Sequence, residues 1–345
     1  MEITRKRRNL DANTNGDLDL ISNLPRHIID CVLNRLPFHD VVRTSVLSRK
    51  WRGYWTTLQH LDLGYEFYLF VKDAMKNKSY STFDRYRQYD KNNQYEYERI
   101  ISRIFFFQLG PLVKVTLYIP KFIADDRPVY PVPDTEQWIL HLSRKNIKEL
   151  TLTYKNREHH LLPSCFFLCL NLTHLELSNI VLVPPPDFKG FRNLIAIQCS
   201  GVKFNANMFE SLMHGSPLLQ KLVFVDCSGM DHFKVSAPIW KSYVSKTTQF
   251  LAGDTLPQQL TTTVEGLKYL KLNSLDFANF DEVYCALCLI RSAPNLKQLE
   301  IQACTTREDI LAPKWGYMEA EAPFGCTLDG LRVVKMNSSG VSSLS

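Results

Sequence analysis

Side chains that could do covalent chemistry cluster at one place in the sequence, where His159 and His160 precede Ser164 and Cys165. A serine or cysteine nucleophile needs a base beside it, and that base is oriented by a third group. Adjacent histidines point in different directions along an extended chain, and no carboxylate is held near them by spacing. The common phosphate-binding and hydrolase motifs are also missing from the sequence, so we predict a protein that is not an enzyme.

Cysteines could also bind a metal, and Cys285 and Cys288 have the spacing of half a zinc site. No second cysteine pair or suitably spaced histidine pair accompanies them, and the surrounding residues favour a helix. Cys227 and Cys304 each follow an apolar strand residue by three positions, which is typical of an inward-facing thiol in a repeat. We therefore expect no metal and no cofactor.

The composition is that of a globular protein whose 345 residues suffice for about two domains. Nine cysteines are too few for a disulfide scaffold, and the apolar runs are too short to span a membrane. The net charge is +6, and Arg5 to Arg8 carry four of the positive charges. These four arginines and lysines are either a nuclear-import signal or part of a flexible leader over residues 1–19. We expect an intracellular protein of the nucleus or cytoplasm.

Residues 20–63 are predicted to form a compact unit of three short helices. Asn23 and Pro25 are favourable at the start of the first helix, and Pro37 ends it. The apolar stripe of this helix consists of Ile28, Ile29, Val32, Leu33 and Leu36. So small a unit cannot enclose this many large apolar groups. The stripe therefore either binds a partner or packs on the rest of the chain.

Residues 64–99 are predicted to be a linker with a polar, mobile insertion. Tyrosines alternate with charged residues from Lys76 to Glu98, at Tyr80, Tyr86, Tyr89, Tyr95 and Tyr97. Tyrosines interleaved with arginines could stack on single-stranded nucleic acid, so a nucleic-acid-binding protein is one alternative interpretation.

A triplet of the form apolar-x-x-apolar-x-apolar recurs through residues 100–345. The triplets are Ile147/Leu150/Leu152, Leu172/Leu175/Leu177, Leu194/Ile197/Cys199, Leu219/Leu222/Phe224, Trp240/Tyr243/Ser245, Leu267/Leu270/Leu272, Leu296/Leu299/Ile301 and Leu331/Val334/Met336. Two earlier triplets, Leu58/Leu61/Leu63 and Leu112/Val115/Leu117, fit the same template. Most successive triplets are 21 to 29 residues apart, which is the period of leucine-rich repeats.

Each repeat is predicted to supply one strand of a parallel sheet and a return segment, with helices near residues 207–214 and 281–292. The expected fold is α/β, with the helical unit followed by an irregular solenoid whose parallel sheet lines the concave face. Side chains alternate along a strand, so the residue inside each triplet's last pair faces outwards. The outward residues, which we predict to contact a target, are Thr151, Glu176, Gln198, Val223, Lys271 and Glu300. Their charges have mixed signs, so no strongly charged target is indicated.

The helical unit resembles the F-box motif in its Leu24-Pro25 and Leu36-Pro37 pairs, its Ser45 to Arg49 step and its Trp51 and Trp55. Further along, Gln137 to Ser143 and Lys148 to Leu152 complete an order of features that is similar to the plant F-box/FBD/LRR-repeat family. Residues 331–336 look like the start of an FBD segment near residues 326–345, so we expect that segment to be absent or truncated.

This resemblance implies a non-catalytic, substrate-recognition subunit of an SCF ubiquitin ligase. The F-box of the family binds a Skp-type adaptor, which connects it to cullin and RING subunits, while the repeats bind the target protein. The residues carried over as adaptor-binding or helix-supporting are Leu24, Pro25, Ile28, Ile29, Val32, Leu33, Leu36, Pro37, Val46 and Leu47. Trp51 and Trp55 are expected in the core. The alternative interpretation is a protein-interaction scaffold that has an F-box but serves no ligase.

Overall fold

A computed structural model describes residues 24–47, 51–76, 86–120, 135–155, 160–228, 263–276, 280–304 and 328–339. By its internal contacts the chain divides into two compact units, Met1–Trp55 and Thr56–Ser345. The basic leader, His159 and the Trp240 triplet lie outside the described residues.

The first unit is helical. Its elements are α1 (Arg26–Leu33), α2 (Phe38–Arg43) and a 3-10 helix (Thr44–Val46), and a second 3-10 helix (Trp51–Thr57) begins in it. Pro25 and Pro37 stand at the N-caps of the two α-helices, where a missing backbone donor costs nothing. The third predicted helix is a 3-10 helix, and Gly53 within it disfavours a regular α-helix.

Aromatic contacts hold this unit together. The Arg26 guanidinium lies 4.3 Å from the centroid of the Tyr54 ring, and its Nε donates to Asp30 at 2.9 Å. Trp51 is buried and makes an edge-to-face contact with Tyr54, at 5.5 Å between ring centroids. Trp55 makes an edge-to-face contact with Phe38. Both tryptophans therefore serve packing.

The second unit contains a parallel sheet of nine strands whose spatial order follows the chain. Its strands are β1 (His60–Leu63), β2 (Lys114–Ile119), β3 (Glu149–Tyr154), β5 (His174–Ser178), β7 (Ala196–Ser200), β9 (Lys221–Val225), β10 (Tyr269–Asp276), β11 (Gln298–Cys304) and β12 (Val333–Ser339). A smaller parallel sheet consists of β4 (His160–Leu161), β6 (Ile180–Leu182) and β8 (Lys203–Phe204). The helices are α3 (Tyr65–Lys76), α4 (Tyr86–Phe107), α5 (Thr135–Ser143), α6 (Ala206–Gly215) and α7 (Phe280–Arg291), with a 3-10 turn at Ser164–Leu168. The two helices that the sequence predicted between repeats are thus present as α6 and α7.

The triplets stack in register. The second apolar residue of each triplet lies opposite the second residue of the next triplet, from Leu61 on β1 to Val334 on β12. The third apolar residues are paired in the same way, from Leu63 to Met336. All of these side chains are buried except the last two, which are 52% and 64% exposed on β12. The predicted repeat therefore exists as two continuous apolar rows.

β9 pairs directly with β10, with Leu222 opposite Leu270. The predicted Trp240/Tyr243/Ser245 triplet falls between these two strands in the sequence and lies outside the described residues.

Each central repeat leaves its strand through a left-handed residue. Asn179, Gly201 and Asp226 follow β5, β7 and β9 with φ angles of 59°, 60° and 51°. Small polar residues and glycine tolerate this region, which bulky residues avoid. The Asn179 and Gly201 amides then donate to Ser200 and Val225 carbonyls in the next repeat, both at 2.8 Å. The turns therefore continue the hydrogen bonding between repeats.

An asparagine precedes several triplets and connects neighbouring repeats. The Asn171 side chain donates to Asn146 Oδ1 at 3.0 Å, and that of Asn193 donates to the Leu170 carbonyl at 3.4 Å. The Asn295 side chain similarly donates to the Glu265 carbonyl at 2.9 Å. These contacts align the start of each strand with the previous repeat.

Residues 64–99, expected as linker and mobile insertion, contain α3 and much of α4 instead. The Tyr97 hydroxyl donates to the Tyr118 carbonyl at 2.7 Å, and both rings contact Tyr68. Burial raises the pKa of Tyr97 strongly. This tyrosine is thus a core residue and cannot stack on nucleic acid, which removes one support for that alternative.

The turn geometry makes Gly201→Ala destabilising, by about 1 to 2 kcal/mol, because an L-residue is strained at this φ. The added Cβ would also collide with the Asn179 side chain. Urea unfolding followed by circular dichroism measures this loss. Gly53→Ala is the matched control, since its Cβ would meet nothing within 4 Å. Equal stability of Gly201→Ala and the parent protein would contradict this account of the turns.

Candidate functional site

The apolar stripe of α1 divides into a buried and an exposed half. Ile29 and Leu33 are 0% and 1% exposed, whereas Ile28 and Val32 are 39% and 45% exposed. Adjacent residues on a helix point about 100° apart, so the two pairs occupy different faces. The sequence predicted a single stripe, and the structure divides it into buried and exposed residues.

The most exposed aliphatic residues of this unit follow α2. Val46 and Leu47 are 87% and 67% exposed, and Leu36 is 40% exposed. Together with Ile28 and Val32 they are called here the exposed aliphatic group. Of the other candidates, Pro25 and Pro37 are exposed and Leu24 is half-buried. Val42, which is 36% exposed, is an addition that the sequence reasoning missed.

The six predicted target-binding residues stand in one row across the sheet. Thr151 lies opposite Glu176, and the pairing continues through Gln198, Val223 and Lys271 to Glu300. The face that carries this row is called here the open face. Val223 belongs to this row but is only 5% exposed, because its neighbours in the row have longer side chains.

Glu300 is the most heavily bonded carboxylate of the open face. It lies 3.0 Å from Lys335 Nζ and 3.6 Å from Lys271 Nζ, and it accepts from Gln298 at 2.8 Å and Tyr269 at 3.1 Å. These hydrogen bonds, the one from Lys335 first, lower its pKa from 4.5 to about 2. Glu300 and its partners therefore hold three neighbouring strands together as well as facing outwards.

A shallow depression of about 210 Å³ opens on the same face around Ala196. It is bordered by Glu149 and His174 on one side, Lys221 on the other, and Glu176 and Gln198 in the next row. Ala196 is the small residue between His174 and Lys221, and its missing side-chain atoms create the space. Charged and amide groups around an opening of this kind can bind a polar side chain of another protein.

His160 and Cys165 are the described members of the histidine and cysteine cluster whose contacts are known. The His160 ring stacks on Tyr154 at 4.7 Å between centroids. The Cys165 thiol is directed to the Glu136 carbonyl, and burial together with Glu136 raises its pKa, opposite to what a nucleophile requires.

In the described parts of the chain, no group of three or more histidine, cysteine and carboxylate side chains could hold a metal ion. Likewise, no helix in those ranges is long and apolar enough to cross a membrane.

The low pKa of Glu300 makes its contribution to stability depend on pH. The carboxylate stabilises the folded chain fully above its unfolded pKa of about 4.5, and this contribution is lost as the pH falls towards 2. Glu300→Gln should therefore lower the urea midpoint near neutral pH and show less further loss on acidification than the parent chain. Glu265→Gln, an exposed carboxylate change, is the control. If acidification lowered the urea midpoint of the parent chain and of Glu300→Gln by the same amount, the stabilising role of the Glu300 carboxylate would be contradicted.

Two models of known families match parts of the sequence. The F-box domain matches residues 21–62, and the LRR repeats of the FBD-associated F-box protein At5g56370 match residues 135–252. The first match covers the unit of exposed aliphatic residues, and the second begins at α5 and includes the central repeats. No solved structure gave a significant match.

Relatives from Arabidopsis thaliana have the same order of features. The chain is 29% identical to F-box/FBD/LRR-repeat protein At1g13570, over 83% of this chain and 76% of the relative. It is 28% identical to FBD-associated F-box protein At4g13985, over 81% of this chain and 57% of the relative. For F-box/LRR-repeat protein At3g26922 the identity is 25% over 84% of each chain. The resemblance inferred from the motifs is thereby confirmed: the chain contains a match to the F-box domain and a match to leucine-rich repeats, and it is similar over most of its length to the plant F-box/FBD/LRR-repeat proteins.

Proposed function

We propose that the chain is the substrate-recognition subunit of an SCF-type ubiquitin ligase and has no catalytic role of its own. In this proposal the exposed aliphatic group binds a Skp-type adaptor, and through it the cullin and RING subunits. The open face of the repeats holds a target protein. The presence of an F-box and leucine-rich repeats supports this role in general terms.

The observation that carries the proposal is the exposure of Val46 and Leu47 within the F-box match. Leaving large aliphatic side chains in water is unfavourable, and covering each one stabilises a complex by roughly 1.5–3 kcal/mol. Ile28 and Val32 extend the same chemistry along α1. A partner with an apolar groove would therefore gain affinity from residues that this unit leaves uncovered.

The contribution to ubiquitin transfer is proximity. A target held by the repeats and a conjugating enzyme held by the RING subunit become parts of one assembly, so their encounter is effectively intramolecular. A regular parallel sheet suits this task, because hydrogen bonds along every strand keep the open face in a fixed geometry.

Changing Val46 and Leu47 together to aspartate should weaken retention on an immobilised Skp-type adaptor by at least about 100-fold. Both side chains are exposed, so the folded state should persist and the loss should come from the interface. Purified full-length protein is used, with circular dichroism to verify folding.

The matched control is Leu170→Asp, the same change at a leucine that is 56% exposed outside the F-box match. It should be retained like the parent chain. If the folded parent chain is not retained, or the double variant is retained equally, the ligase proposal fails and the non-ligase scaffold becomes the better account.

A further inference from the structure

Two carboxylates in the same row of the open face have opposite environments. Glu300 has two lysines within ion-pair distance. Glu176 accepts only from the Thr151 hydroxyl and the Gln198 side-chain amide, each at 3.4 Å. Across the described ranges, no cation forms an ion pair with Glu176. Within those ranges its negative charge therefore has no ion-pair partner, and both of its hydrogen bonds are long.

Both lysines that border the depression near Glu176 contact other groups. Lys114 pairs with Glu149 at 3.1 Å, so these two neutralise one another. The Lys221 ammonium lies 5.6 Å from the centroid of the Tyr269 ring, on the strand away from Ala196. Glu176 is therefore the carboxylate at the opening that has no ion pair among the described residues.

The shape of the opening suits one long side chain. Its volume of about 210 Å³ has room for a side chain rather than for a folded loop. Ala196 and the exposed His174 are among the residues that line it.

We propose that the depression around Ala196 binds an arginine side chain of the target protein, with the guanidinium paired to Glu176. This inference rests on the proposed target-binding role of the open face and specifies what that face recognises. A planar guanidinium presents several donors in a fork, which can meet the carboxylate and the Gln198 side-chain oxygen together. A lysine ammonium is a compact, strongly hydrated point charge and fits this pair of acceptors less well. A single arginine also agrees with the mixed charges of the face.

The test uses the full chain and small probes in place of the target. Nα-acetyl-arginine amide is titrated into protein labelled with carbon-13 at alanine methyl groups, and the Ala196 methyl signal is observed by NMR. The neutral isostere Nα-acetyl-citrulline amide and Nα-acetyl-lysine amide are titrated in parallel. The arginine probe should shift the signal saturably, at least about tenfold tighter than citrulline and more tightly than lysine.

Glu176→Gln should reduce arginine binding to the citrulline level while keeping the methyl spectrum of a folded protein. Glu265→Gln, which removes an exposed carboxylate away from the depression, should bind like the parent. No saturable shift in the parent, equal binding by Glu176→Gln, or equal binding of citrulline or lysine would each overturn the assignment. The adaptor takes no part in this experiment, so the result is independent of adaptor binding. If the chain is retained on the adaptor but binds no arginine probe, the arginine inference fails and the proposed adaptor binding stands.

Discussion

The structure depends on the register between parallel strands. A single repeat presents two apolar side chains on one side of a strand that is four to eight residues long in the nine-stranded sheet, and it cannot bury them alone. Stacking places Leu150 beside Leu175, Leu177 beside Cys199 and so on across the sheet. A slip of one residue would exchange the buried and exposed faces of a strand. The left-handed turns and the asparagines before the triplets occur in several of the repeats and oppose such a slip.

The same register creates the functional surface. Because the buried rows are aligned, the alternate residues are aligned as well, and side chains 22 to 48 positions apart in sequence become neighbours. Glu300 meets Lys335 and Lys271 in this way, and Glu176 meets Thr151 and Gln198. A gap at Ala196 becomes a depression because its neighbours in the row are larger. The F-box unit uses a different principle, since its exposed aliphatic residues come from helix periodicity and the turns that follow.

Much of this arrangement follows from local sequence pattern. Period-two alternation and the repeat interval predicted the strands, their buried residues and the outward row, because these depend on backbone geometry alone. The Trp240/Tyr243/Ser245 triplet stays a prediction, because it lies outside the described residues. Ile28 and Ile29 were not separable, since the sequence does not show which face of an amphipathic helix its own unit covers. The Phe166, Phe167, Phe188 and Phe191 contacts between return segments were equally hidden, because their spacing follows no fixed period.

The segment over residues 64–99 illustrates the opposite error. Its polar composition favoured a linker, and tertiary contacts of a few tyrosines with β2 and α3 outweighed that composition.

The separation of inward and outward rows has a broader consequence for how such chains diversify. Replacing a solvent-facing side chain on one strand leaves the hydrophobic interior untouched and typically changes stability by less than about 0.5 kcal/mol. The specificity of target binding can therefore differ between related proteins that share the same scaffold.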